Sequence, residues 1–246
     1  FWEEQTGVKQ KELFKGCKNL RLMVSGSAAL PVSVLDKWES ISGHRLLERY
    51  GMTEIGMAIA NSYSGERRAG YIGTPLPDVI VRIVNEIGDV IETVHEQGEI
   101  QIKGASVFKE YWNKPQETKD SFTEDGWFKT GDSAILVNGY YKILGRNSVD
   151  IIKSGGYKIS ALEIESKLLD HPEIDECTVV GIADEEWGEI VAAGVVSTFN
   201  VQLLTLQDWA KDKMAPYKIP RRLIVLNELP RNVLGKVTKN EIKKLF

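Results

Sequence analysis

The pentapeptide Tyr50-Gly51-Met52-Thr53-Glu54 closes an extended run at 45–50, and that run completes a strand–helix–strand unit. Residues 20–24 (Leu-Arg-Leu-Met-Val) have the apolar character of a short buried strand, stopped by Ser25-Gly26-Ser27. Pro31 then opens a helix through Trp38, with Val34, Leu35 and Trp38 at helical spacing. A strand, a crossover helix and a second strand predict an α/β architecture. In such folds the sheet is parallel and ligand-binding groups gather at the strand ends.

The texture changes after Gly70. Short extended runs at Val79–Val84 and Gly98–Lys103, and a hairpin signal at Asn138-Gly139 followed by Tyr140–Leu144, predict a small β-rich subdomain over 70–147. Arg146 to Asp150 reads as a linker. Beyond it, Ser160-Ala161-Leu162-Glu163 is a capping box for a helix with Ala161, Ile164 and Leu168 on one face. Strands at 177–182, 190–197 and 223–226, with helices near 205–213 and from Thr238, complete a compact α+β domain at 148–246. The expected division is therefore 1–147 (a parallel-sheet piece at 1–69, the β-rich part at 70–147) and 148–246.

The 246 residues carry 31 basic and 35 acidic side chains, a net charge of −4, which argues against a general nucleic-acid or anionic-membrane binder. Cys17 and Cys177 are the two cysteines; two distant thiols make neither a disulfide framework nor a metal signature, and point to a reducing, intracellular setting. No apolar run reaches the length of a transmembrane segment. The chain opens on Phe1-Trp2 without an initiator methionine, and is read as a fragment whose upstream part is missing.

Four motifs follow Tyr50–Glu54 in fixed order: Thr130-Gly131-Asp132, Gly145-Arg146, Lys153-Ser154-Gly155-Gly156-Tyr157, and Pro230-Arg231 leading to Gly235-Lys236. In this order they resemble the second half of the acyl-adenylate-forming (AMP-binding) enzymes, the superfamily of acyl-CoA synthetases, luciferases and peptide-synthetase adenylation domains. The resemblance covers almost the whole chain. It implies that 1–147 is the C-terminal portion of a large adenylation domain and that 148–246 is a mobile α+β domain. It also implies ATP, Mg²⁺ and coenzyme A: AMP is transferred to a carboxylate, pyrophosphate leaves, and the CoA thiol attacks the acyl-adenylate. Such transition states call for cations, hydroxyls and backbone N–H groups rather than a nucleophilic side chain.

A hydroxyl can donate to a phosphate, and a carboxylate can hold magnesium. The resemblance gives those roles to Thr53 and Glu54, and stacks Tyr50 on adenine beside Gly51 and Met52. The resemblance also implies that Ser27 and Ala28 line the adenine pocket and Ser25 the acyl pocket, with an ordinary strand-to-helix turn as the alternative. A carboxylate can take two ribose hydroxyls, and an arginine fork can reach ribose and phosphate together; the resemblance assigns these tasks to Asp132 and Arg146, with a structural ion pair between them as the alternative. Ser148, Val149 and Asp150 fall at the family's hinge, although one extra residue separates Arg146 from the glycine pair. Ser154, Gly155, Gly156 and Tyr157 would face the pantetheine of CoA, with a positive-φ hairpin turn as the alternative. Lys236 would be the adenylation lysine, and a solvated surface lysine is the alternative, since Lys239, Lys243 and Lys244 follow. Lys218, Arg221 and Arg222 read as a solvated basic face, with contact to the 3′-phosphate of CoA as the alternative.

Within the superfamily, Gly43–Glu54, Trp112-Asn113-Lys114-Pro115, Ser148–Lys153 and Tyr157–Glu163 resemble the malonate–CoA ligases, especially the animal mitochondrial type. A dicarboxylate needs a fixed cation for its non-reacting end, and Arg49 is the candidate, with a brace of the loop through a carboxylate as the alternative. The implied setting is fatty-acid metabolism in the mitochondrial matrix, with the cytoplasm as the alternative. A medium- or long-chain acyl-CoA synthetase and a non-catalytic interaction module remain open. The family's β,γ-phosphate loop lies outside these residues, so the chain alone is expected to be inactive without the N-terminal half of the enzyme.

Overall fold

The computed structural model describes residues 6–233 and 235–246; Phe1 and Trp2 lie outside them. The chain forms two compact units, one running up to Thr130 together with Ala134–Ile143, the other made of Gly131–Ser133 and Leu144–Phe246. The expected boundary at 147/148 falls inside the second of these.

The first unit opens with α1 (Gly7–Lys18), β1 (Val24–Ser25), α2 (Val32–Ser42) and β2 (Leu47–Met52). β1 and β2 pair in parallel, Val24 opposite Leu47, with α2 as the crossover. Pro31 stands at the N-cap position of α2, and Gly43 ends the helix by taking the left-handed conformation (φ 71°) that lets its N–H reach the Glu39 carbonyl at 2.8 Å. The strand expected at 20–24 is reduced to Val24–Ser25, and Val24 is 49% exposed, because β1 lies at the sheet edge with β2 as its neighbour. β3 (Gly56–Ala60) and β4 (Thr74–Pro75) extend this sheet antiparallel, so the expected parallel arrangement is confined to the β1–β2 pair.

A second sheet has the order β5 (Val79–Val84), β6 (Gly98–Gly104), β7 (Phe128–Val137), β8 (Tyr140–Arg146), with the short α3 (Pro115–Asp120) between β6 and β7. Asn138 and Gly139 both sit at positive φ (51° and 80°), the requirement of a two-residue hairpin turn. Ile55, Ile59, Ile83, Ile100, Ile102 and Phe128 form the shared core. Burying each such side chain contributes roughly 1.5–3 kcal/mol.

In the second unit, β9 (Ile151–Ser154), β10 (Tyr157–Ser160), α4 (Ala161–Leu168), β11 (Glu176–Asp184), β12 (Gly188–Val196), α5 (Leu203–Ala210), β13 (Arg222–Leu226) and α6 (Lys239–Lys243) follow in order. The sheet runs β10-β9-β12-β11, with β13 parallel to β12. Ser160 caps α4 as expected: its Oγ accepts from Glu163 N at 3.1 Å and donates to the Leu144 carbonyl at 2.6 Å. Ala161, Ile164 and Leu168 are the buried face. Thr238 stands at the N-cap of α6, but its side chain makes no cap bond.

Candidate active site

Thr53, Glu54 and Ile55 form the tight turn between β2 and β3, closed by Ile55 N donating to the Met52 carbonyl at 3.1 Å. Two glycines make the turn possible. A Cβ on Gly51 would lie 2.1 Å from the Gly56 carbonyl oxygen, so only a bare Cα allows the two strands to close there. Ile55 is fully buried beneath, while Thr53 is exposed. Tyr50 and Met52 pack against the core from the same strand. The segment 105–112 supports the turn from outside: Phe108 N donates to the Glu54 carbonyl at 2.7 Å, and the Tyr111 hydroxyl donates to Glu54 Oε1 at 2.9 Å. The Phe108 and Tyr111 rings meet edge to face at 4.6 Å. Tyr111 escaped the sequence reading because it lies 57 residues from its partner.

Gly26 and Ser27 follow Ser25, the last residue of β1. Ser27 has φ 70°, the left-handed region that costs a non-glycine residue about 1–3 kcal/mol. Arg49 reaches this turn from β2. Its guanidinium covers the Cα of Gly26 so closely that a Cβ there would lie 2.6 Å from Cζ and 2.7 Å from Nε and Nη1. Ser25 stands opposite Glu48 in the β1–β2 register. Burial pushes the Glu48 carboxyl up from 4.5 to about 7, against the lowering effect of Gly70 N–H and Arg45. Glu48 was not singled out in the sequence, where it reads as an ordinary strand glutamate.

In the second unit Arg146 Nε donates to Asp132 Oδ1 at 3.0 Å; Asp132 is buried and the arginine side chain is 48% exposed. The two residues therefore come together, in the ion pair named as their alternative reading. Such a pair is compatible with a ligand that meets the exposed side of the fork. Residues 147–150 form a closed turn, with Asp150 N donating to the Arg146 carbonyl at 2.8 Å and Asp150 Oδ2 accepting from Arg146 N at 2.9 Å. A Cβ on Gly145 would lie 2.4 Å from Asp150 Cβ, so the turn needs a bare Cα at that position.

Gly155 and Gly156 make the two-residue turn between β9 and β10, at φ 54° and 83°. The Trp187 ring lies against Gly155, and the exposed Tyr157 ring stacks on Tyr217 at 4.4 Å. The basic cluster is only partly a solvated face: Lys218 pairs with Glu163 at 2.7 Å, and Arg221 sits 4.3 Å over the Trp187 ring.

Lys236 is exposed on a loop bridged at Arg231 and Val237, where Asn232 N donates to the Lys236 carbonyl at 2.9 Å and Asn232 Oδ1 accepts from Lys236 N at 3.0 Å. Of the lysines that follow it, Lys239 is not solvated: its side chain is 10% exposed and lies between two carboxylates. Among the described residues no three acidic, histidine or cysteine side chains gather as a metal set. A single carboxylate such as Glu54 still suits Mg²⁺, which takes one or two protein carboxylates together with phosphates and water.

A strand-end turn with an exposed threonine and an oriented glutamate, an aspartate–arginine pair, and a lysine on a glycine loop, in that order, are features of adenylate-forming proteins. The family model for the AMP-binding enzyme matches residues 4–112, and that for the AMP-binding enzyme C-terminal domain matches 163–236. The chain belongs to the AMP-binding enzyme family. It is 53% identical over 240 residues to a malonate–CoA ligase of Arabidopsis thaliana, covering 92% of this chain and 39% of the relative. It is 50% identical over 249 residues to the mitochondrial malonate–CoA ligase of Mus musculus, covering 93% and 43%. Among solved structures, ATP-bound MatB from Rhodopseudomonas palustris matches with TM-score 0.85 and 37% identity, over 92% of this chain and 45% of that one. The chain thus spans about two fifths of the length of these curated relatives.

Proposed function

We propose that the protein containing this chain is an ATP-dependent carboxylic acid–CoA ligase that converts malonate to malonyl-CoA through malonyl-AMP. The observation that carries the dicarboxylate is the Arg49 guanidinium lying on Gly26, one residue before the Tyr50–Glu54 turn. It is a fork-shaped cation held by backbone shape, suited to grip a second carboxylate by two parallel hydrogen bonds. The naming of the relatives as malonate–CoA ligases supports the same reading.

In this reading Thr53 donates to the α-phosphate and Glu54, steadied by Tyr111, holds the Mg²⁺ that neutralises phosphate charge. Tyr50, Gly51, Met52, Ser27 and Ala28 border the adenine, Asp132 and Arg146 hold the ribose, and Ser25 lies beside the acyl group. Lys236 brings a mobile positive charge to the carboxylate and α-phosphate as they react. Residues 148–246 act as a mobile domain turning about Ser148, Val149 and Asp150. The Ser154-Gly155-Gly156-Tyr157 turn then meets CoA, where the open space at Gly156 leaves room for a thiol. The mitochondrial relative supports a mitochondrial setting.

The test is ATP–pyrophosphate exchange by the full-length protein with malonate, methylmalonate, acetate and a medium-chain fatty acid. Malonate-dependent exchange is the expected result. Exchange with a monocarboxylate alone discards the dicarboxylate pocket while keeping the chemistry, and no exchange with any acid removes the ligase reading for these substrates.

A further inference from the structure

Three charged side chains distant in sequence meet inside the second unit. Lys239 Nζ lies 2.6 Å from Asp150 Oδ1 and 2.8 Å from Glu165 Oε1, with side-chain exposures of 10%, 16% and 15%. Each carboxylate is also tied to backbone. Glu165 Oε1 accepts from Val179 N of β11 at 2.7 Å, and Asp150 Oδ2 accepts from Arg146 N at 2.9 Å. The contacts form a continuous line from a core strand, through Glu165, Lys239 and Asp150, to the backbone of Arg146. Burial works against the charge on Lys239, but the two carboxylates outweigh it and raise its pKa. The cation is therefore kept in a place where an unpaired charge would be strongly disfavoured.

We propose that Lys239 is a positioning residue: it fixes the 147–150 turn to the body of the second unit through Asp150, and so sets where Arg146 presents its guanidinium. The placement follows from the geometry. Asp150 has two carboxylate oxygens, one taken by Lys239 and one by Arg146 N, so loss of the lysine frees one side of the carboxylate that holds Arg146 N. Lys239 lies three positions beyond Lys236, so the same contact ties the base of the Lys236 loop to the turn after Arg146.

The idea that Arg146 is the group being positioned rests on the proposed ligase reading, but the first part of its test does not. Hydrogen exchange is measured on the chain with Lys239→Met and with the pair Glu165→Gln, Lys239→Met, which leaves one buried carboxylate fewer if the single variant does not fold. Exchange in peptides covering 144–150 is expected to rise at least tenfold in both, while the β11–β12 ladder keeps its protection. Unchanged exchange at 144–150 in a folded variant overturns the proposal, as does an equal rise throughout β11 and β12. In the full-length enzyme, KM for ATP is expected to rise at least fivefold with Lys239→Met, with a smaller change in kcat; an unchanged KM removes the link to Arg146. Absence of malonate activity in the parent enzyme would count against the ligase reading alone, since exchange at 144–150 is read without substrate.

Discussion

At the scale of single residues, the informative positions are those where a missing side chain makes room for a charge. Gly26 has no Cβ and the Arg49 guanidinium fills the space. Gly26→Ala is expected to fold normally, because the arginine head group can move aside, but to displace the cation. Arg49→Leu removes it. Both should lower kcat/KM for malonate in the full-length enzyme, Arg49→Leu by about 10²-fold, the order expected for loss of a charge-assisted pair. Acetate, which offers the arginine nothing, should be unaffected, and an equal loss with both acids would show that Arg49 braces the turn instead. Lys236→Ala should reduce malonate-dependent pyrophosphate release by about 10²–10³-fold, as removal of a transition-state charge partner does, while leaving thioester formation from supplied malonyl-AMP near normal. Pyrophosphate release at the parent rate would withdraw the role of Lys236.

Among the elements, α4 shows how local code and tertiary contact meet. Ser160 Oγ caps the helix and also donates to the Leu144 carbonyl. Ser160→Ala removes a cap and leaves a buried carbonyl without its donor, so stability should fall by about 1–3 kcal/mol in chemical denaturation. A change below about 0.5 kcal/mol would mean water replaces both contacts. The cap was legible in the sequence because all its partners but Leu144 lie within one helical turn. The Asn138-Gly139 hairpin and the Gly155-Gly156 turn were legible for the same local reason, both needing left-handed backbone. The antiparallel β2–β3 pairing was not, since an apolar run does not state its partner's direction. Nor was the Tyr111–Glu54 bond, or the burial of Lys239 among lysines that are exposed or half-exposed: long-range neighbours decide both.

For the molecule as a whole, Glu48 makes stability depend on pH in an unusual direction. Its carboxyl is raised by burial from 4.5 to about 7, so the folded chain holds that proton more tightly than the unfolded chain does. This contribution is fully present below pH 4.5 and is lost as pH climbs through 7. Thermal melts of the chain should therefore show a transition that moves down in temperature between about pH 5 and pH 8, and Glu48→Gln should flatten that slope. A parent slope that survives the substitution would place its origin elsewhere. The order of the motifs pointed correctly to the family at this scale, whereas the division of the described residues into two compact units, with Gly131–Ser133 joined to Leu144–Phe246, depended on pairings that no linear pattern spells out.

The line of charge through Lys239 also bears on how the polypeptide is made. Asp150 and Glu165 leave the ribosome long before residue 239, and until then the two carboxylates have no cation between them. β13 likewise joins β12 late, so one edge of that strand stays open for much of translation. The nascent second unit is thus a half-zipped sheet with an electrostatic gap, and the arrival of one lysine 74 residues after Glu165 closes it.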